Sequence, residues 1–142
     1  MILHPIPAAE LDRWWPVILP FVNQMAERFP DDWPAHEQYR AAEAEQIVLW
    51  AILDEDHHKA LGIFATRKQQ LPSGRWCMSI PICAGNDHKL WQTEVREHVE
   101  RMARMNDCTI VESVGRPGWL REAPGFKPIW VGLFRKELAP DG

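Results

Sequence analysis

Three stretches of this chain hold residue types that can do chemistry. The first is Glu112, whose neighbours Ile110 and Val114 share its face of a strand-like run. Partial burial between apolar side chains raises a carboxyl pKa toward the range a general base needs. The plain reading of the same residue is a strand-end carboxylate paired with Arg116 or Lys127. The second is Ile82-Cys83-Ala84-Gly85-Asn86-Asp87, where an apolar run passes through a turn into a helix. Backbone N–H groups at such a junction can hold phosphate, which makes Ile82, Ala84, Gly85 and Asn86 candidate binding residues. The third is Asp54-Glu55-Asp56-His57-His58. Its residue types suit a metal, but adjacent ligands on one loop lack the spacing of a closed zinc site, and a solvated hairpin loop is the better reading. His88 and His98 lie too far apart on one helix to share an ion. No nucleophile elbow, P-loop or dinucleotide fingerprint is present.

The elements that must position these residues follow from periodicity. Trp76 to Cys83 is a short apolar run and reads as a buried strand, with Cys77 and Cys83 on the same face as core residues. Ala84-Gly85-Asn86 supplies the turn and Asp87 the helix cap. Beyond it, Trp91, Val95, Val99, Met102 and Ala103 form one apolar stripe of a long helix. Upstream, Met1–Ile6 is a short strand. Ala8–Arg28 has helical spacing, interrupted by Pro16 and Pro20, so the helix is either kinked or begins near Pro16. Ala35–Ala44 is a second helix, and Ile47–Leu53 and Ala60–Arg67 pair as a hairpin. Cys108–Val114 and Ile129–Phe134 are the last strands. The order predicts an α/β (α+β) domain over residues 1–142, with a mixed, mostly antiparallel sheet of about six strands and helices on both faces.

Composition narrows the class. The chain has 142 residues, a net charge of -4, 46% hydrophobic and 25% charged residues, which is ordinary globular usage. An acidic balance argues against a nucleic-acid surface. Three cysteines without a C-x-x-C pair suit a reducing compartment. The most apolar window, Trp14–Val22, contains two prolines and is too short to span a membrane. Eight tryptophans exceed what one core of this size needs. Trp33 and Trp119 sit in loops beside Pro or Gly, where they can serve as interface anchors or fold back over the core.

Trp15-Pro16, Leu49-Trp50, Cys108-Thr109-Ile110-Val111-Glu112, Gly115-Arg116-Pro117-Gly118-Trp119 and Pro124-Gly125-Phe126, in this order of elements, resemble the GNAT superfamily of acyl-CoA-dependent N-acyltransferases. The resemblance is nearest to small GNAT-fold proteins of tailed bacteriophages and prophages. It implies acetyl-CoA as cofactor, with the turn after the Trp76 strand holding the diphosphate. It also implies a pattern like Q/R-x-x-G-x-G/A in that turn, and a tyrosine acid shortly before the Gly-Phe.

The chain departs from that pattern at three points. The turn has one glycine and no Arg or Gln, and Asp87 places a carboxylate where the diphosphate would sit. Pro81 lacks an N–H in the strand that would face the pantetheine arm, which also fits a bulge or a splayed edge. The only tyrosine, Tyr39, lies far upstream of the Gly-Phe. From these the expected function is a non-catalytic binding or assembly module of phage origin, without a cofactor, whose partner is another phage structural protein. It would be cytoplasmic in the infected host, with the virion as a second location. The alternative is an acetyl-CoA-dependent N-acetyltransferase with an atypical turn and Glu112 as base.

Overall fold

The computed structural model describes residues 1–56, 59–114, 123–129 and 134–140. The chain runs β1 (Ile2–Ile6), α1 (Leu11–Arg28), α2 (Ala35–Glu43), β2 (Val48–Leu53), β3 (Ala60–Gln70), β4 (Trp76–Ile80), β5 (Cys83–Gly85), α3 (Gln92–Met105) and β6 (Ile110–Ser113). The strands form one sheet of order β1-β2-β3-β4-β6, with β5 also on β3. All pairings are antiparallel except β4 with β6, which α3 joins as a crossover.

Helices cover both faces because the strand residues alternate. Leu49, Ala51, Leu53, Ile63, Ala65, Ile82 and Ala84 pack under α1 and α2. Trp50, Ile52, Phe64, Met78 and Ile80 face α3, which contributes Val95, Val99 and Ala103. Pro16 and Pro20 both lie inside α1, which starts at Leu11. Each is exposed, so the backbone carbonyls left without an N–H partner fall on the wet side of the helix. One buried polar side chain ties the two helices. The Gln38 amide donates to the carbonyls of Val22 at 3.0 Å and Trp33 at 2.8 Å. Gln38→Ala would take the side-chain donor from the Trp33 carbonyl and a second donor from the Val22 carbonyl inside α1, and is expected to lower the unfolding free energy by about 2 kcal/mol in a urea titration.

The strand expected over Trp76–Cys83 is interrupted. Arg67 pairs with Ser79 but Phe64 pairs with Cys83, so β4 and β5 take one residue more than β3 over the same length. The extra residue is a bulge at Pro81, where proline's missing N–H is tolerated. The Ala65 N–H to Ile82 carbonyl bond, at 2.9 Å, closes the ladder across it. A bulge reverses side-chain parity. Ile80 faces α3 while Ile82 faces α1. Cys77 and Cys83 were expected on one face, and that is corrected: Cys83 packs on the α3 side, and Cys77 shares the opposite face with Ser79.

The sheet has six strands, as expected, but their membership differs. The interrupted strand counts as two, and the described ends of the expected last strand, Ile129 and Phe134, are 86% and 85% exposed and in no strand. Residues 130–133 between them lie outside the described residues. Ala123-Pro124-Gly125-Phe126 makes a turn in which the Phe126 N–H donates to the Ala123 carbonyl at 3.2 Å and Gly125 has φ +84°, the arrangement of a type II turn. Further on, Arg135 returns to the α1–α2 connection and pairs with Asp32 at 2.6 Å and Asp31 at 3.9 Å.

Candidate functional site

β4 and β6 pair from Cys77/Ile110 to Ile80/Ser113 and no further. Beyond Ile80 the bulged strand continues to Gly85 on β3 alone, so among the described residues its other edge, Pro81–Gly85, has no partner strand. This opens a gap in the sheet, and the turn after Gly85 stands at its end.

Gly85 is there because backbone passes too close for a side chain. A Cβ at this position would lie 2.6 Å from the Leu61 carbonyl oxygen and 2.7 Å from Gly62 Cα. Asn86 is held on three sides. Its N–H donates to the Leu61 carbonyl at 2.9 Å, its carbonyl accepts the Trp91 indole N–H at 2.8 Å, and its side-chain oxygen accepts the Gln24 amide of α1 at 3.3 Å. Of the four candidate binding residues, Ala84 is buried at 8% exposure and Ile82 is fully buried under α1. The Ile82 carbonyl is taken by Ala65 and the Asn86 N–H by Leu61.

Asp87 does not cap the long helix, contrary to the expectation. Its backbone is left-handed (φ 52°, ψ 44°), its side chain makes no cap bond, and a single 3-10 turn, His88–Leu90, separates it from α3 at Gln92. A left-handed residue followed by helical ones turns consecutive N–H groups toward one point, as in an anion nest. The N–H groups of Asp87, His88 and Lys89 have no acceptor among the described residues. Asp87, His88, Lys89 and Leu90 line a shallow cleft of about 410 Å³. The Lys89 and His88 side chains add basic groups there, and the Asp87 carboxylate opposes them.

Glu112 lies in β6 beside Ser79 of β4, one pair before the strands separate. It is exposed rather than partly buried, because Val114 on its face is itself 67% exposed. The expected partial burial of this carboxylate is thereby corrected. Gln69 donates to its carboxylate at 3.4 Å; Lys127 makes no ion pair with it, and Arg116 lies outside the described residues. Two residues that sequence reasoning passed over share this face. Arg67 of β3 pairs with Ser79, which pairs with Glu112. The signal was present: Arg67 continues the alternation of Ile63 and Ala65, so it points to the α1/α2 side of the sheet. Between them the Cys77 thiol is pushed up to about 11, by burial first, then by Glu112 and Cys108, with Arg67 opposing.

Of the candidate interface residues, Trp33 is half-buried against the α1/α2 core, and Trp119 lies outside the described residues, as do His57 and His58. Tyr39 is occupied elsewhere, its hydroxyl donating to Asp12 at 2.5 Å, with a pKa raised to about 12 chiefly by that bond. Among the described residues no three His, Cys, Asp or Glu side chains converge as a metal site would, and no helix is long and apolar enough to cross a membrane.

A second cleft, about 390 Å³, lies between β1 and α3 and is lined by Met1, Leu3, Glu94, Glu97, His98 and Arg101. His98 packs edge-on against Trp50 at 4.9 Å, and burial, with Arg101 adding, lowers its pKa. The folded state therefore disfavours its protonation. Its stability is complete above the unfolded pKa and falls as pH drops through that value toward the folded one. The urea midpoint is expected to fall between pH 7.5 and pH 5, with a smaller fall in His98→Phe, which keeps the ring contact.

No protein-family model and no curated protein matches the chain. Solved structures do. A probable acetyltransferase superposes with TM-score 0.70 at 13% identity, covering 99% of this chain and 100% of the other. The ribosomal-protein-alanine N-acetyltransferase of Brucella melitensis biovar Abortus gives 0.70 at 8% identity, over 96% and 100%. An aminoglycoside acetyltransferase from an uncultured soil metagenomic sample, in complex with sisomicin, gives 0.69 at 10%, over 97% and 96%. The fold is that of the GNAT acetyltransferases.

Proposed function

We propose that this protein transfers an acyl group from an acyl-coenzyme A to an amine. The observation that carries this reading is the strand edge Pro81–Gly85, open among the described residues, ending on the N–H groups of Asp87, His88 and Lys89, which have no acceptor among them. An extended thioester arm would lie along that edge, and its diphosphate would meet the three N–H groups and Lys89. The turn fits a diphosphate by backbone conformation rather than by the glycine pattern, which is why its sequence looks unsuitable. Bound acyl-CoA supplies an activated thioester carbonyl. Glu112, beside Ser79 one pair before β4 and β6 separate, would take a proton from an incoming ammonium. The amine nitrogen then attacks the carbonyl carbon, the C–N bond forms and the C–S bond breaks. The proton left on nitrogen goes to the departing thiolate, and Glu112 returns its own to water.

The rival reading, a non-catalytic assembly module in a phage particle, rested on a poor turn and on exposed tryptophans. Among the described residues the N–H groups of Asp87, His88 and Lys89 have no acceptor, and Trp33 is half-buried against the core.

Titration with acetyl-CoA tests the proposal. At a hundred times its dissociation constant the ligand should add about 2.7 kcal/mol to stability, read as a saturable rise in melting temperature. Asp87→Asn removes a carboxylate beside the diphosphate and keeps a residue type that tolerates left-handed backbone. It is expected to tighten binding about tenfold, a gain of about 1.4 kcal/mol. No saturable shift in either protein would end the proposal.

A further inference from the structure

Arg67, Ser79 and Glu112 form a row across three strands of the sheet, on the face that α1 and α2 cover only farther along. Adjacent strands lie about 4.8 Å apart, so the two charged residues are separated by roughly 10 Å at their Cα atoms. Both side chains can reach in toward Ser79. The serine hydroxyl is turned away from them, donating to the Arg67 carbonyl at 3.2 Å, and it is buried at 3% exposure. Arg67 is the unusual member. Among the described residues its Nε is buried without a hydrogen-bond partner and its guanidinium joins no ion pair. A buried guanidinium nitrogen without an acceptor is costly unless something anionic meets it. Glu112 does not do so; its contact is Gln69 on the neighbouring row.

We propose that Arg67 is the acid-binding half of the acceptor subsite, so that the amine acylated beside Glu112 carries a carboxylate or a phosphate close to its nitrogen. This rests on the transferase reading and narrows its substrate class. The guanidinium fork would hold the acid by paired, charge-assisted hydrogen bonds, and Glu112, on the other side of Ser79, would face the ammonium. An acceptor with both charges meets both ends of the row. A simple alkylamine meets only one.

The test has two independent readouts. Calorimetric titration with inorganic phosphate and with acetate, at fixed ionic strength, should show binding that Arg67→Gln weakens at least tenfold and Arg67→Lys weakens less. Thiol release from acetyl-CoA should be faster with β-alanine than with propylamine, and faster with aminoethyl phosphate than with ethanolamine. Arg67→Gln should raise KM for the acidic amines at least tenfold and shift KM for propylamine far less. Phosphate against acetate, and the two amine pairs, decide which acid is preferred. If no amine releases thiol while anion binding still depends on Arg67, the transferase reading fails and the acid subsite stands. If acidic and neutral amines react alike and Arg67→Gln changes neither KM nor anion binding, the subsite is wrong whatever the enzyme does. The circular dichroism of Arg67→Gln guards against mistaking misfolding for lost recognition.

Discussion

Trp91→Ala is expected to destabilise the protein by about 3–5 kcal/mol, the usual range for removing a buried large aromatic side chain. For a chain of this length that corresponds to roughly 10–15 °C in melting temperature. The indole is only 2% exposed and packs in the α3 core. It also fixes the turn, since its N–H donates to the Asn86 carbonyl at 2.8 Å. The two roles separate in Trp91→Phe, which keeps much of the packing and loses the donor. The phenylalanine variant should cost far less stability, yet weaken acetyl-CoA binding nearly as much as alanine does, because the nest at Asp87–Lys89 loses its anchor. Thermal melting with and without acetyl-CoA measures both quantities on the same samples. Equal ligand affinity in wild type and Trp91→Phe would show that the turn needs no such tie.

Gly85→Ala should cost about 3 kcal/mol, at the upper end for overpacking. The added Cβ would meet the backbone of Leu61 and Gly62 at 2.6 and 2.7 Å, together with the Trp91 ring at 3.0 Å. Backbone cannot swing aside as a long side chain can, so β3 and β5 must part. Gly62, paired with Gly85 across the ladder, meets the same crowding from its own side, with Ala84 oxygen 2.6 Å from a built Cβ. Urea unfolding of Gly85→Ala is the direct check, and a loss under 1 kcal/mol would mean that the two strands lie farther apart. The consequence for any binding assay is practical. A charged residue at Gly85 would lose ligand through broken pairing, so it cannot report on the diphosphate. Asp87→Asn leaves the pairing alone and can.

Much of the architecture is legible because it depends on local alternation. The stripe Trp91, Val95, Val99, Ala103 is buried as its spacing requires, and the hairpin of β2 and β3 follows from two β-branched runs either side of a polar loop. Pro81 fitted either a bulge or a splayed edge, and the strand register shows the bulge. The expected last strand at Ile129–Phe134 was read from the same kind of apolar run, yet Ile129 and Phe134 at its ends stay in solvent. Residues 130–133 between them lie outside the described residues.

The candidate site was less legible, and the reason is parity and conformation rather than residue type. A single inserted residue at Pro81 sends Ile82 and Cys83 to faces opposite those that counting predicts. Whether a turn can hold an anion depends on where its N–H groups point. Asp87 shows that a residue chosen as a cap by its side chain can act through its backbone. Residue order alone predicted the two-faced sheet, the crossover helix, a turn at Gly85 and the class of fold. Only the packed chain decided that the donors at Asp87–Lys89 have no acceptor among the described residues, that Glu112 is exposed, and that Arg67 aligns with it across Ser79. Those outcomes depend on strand register, a relation between segments distant in sequence that no window of neighbouring residues contains.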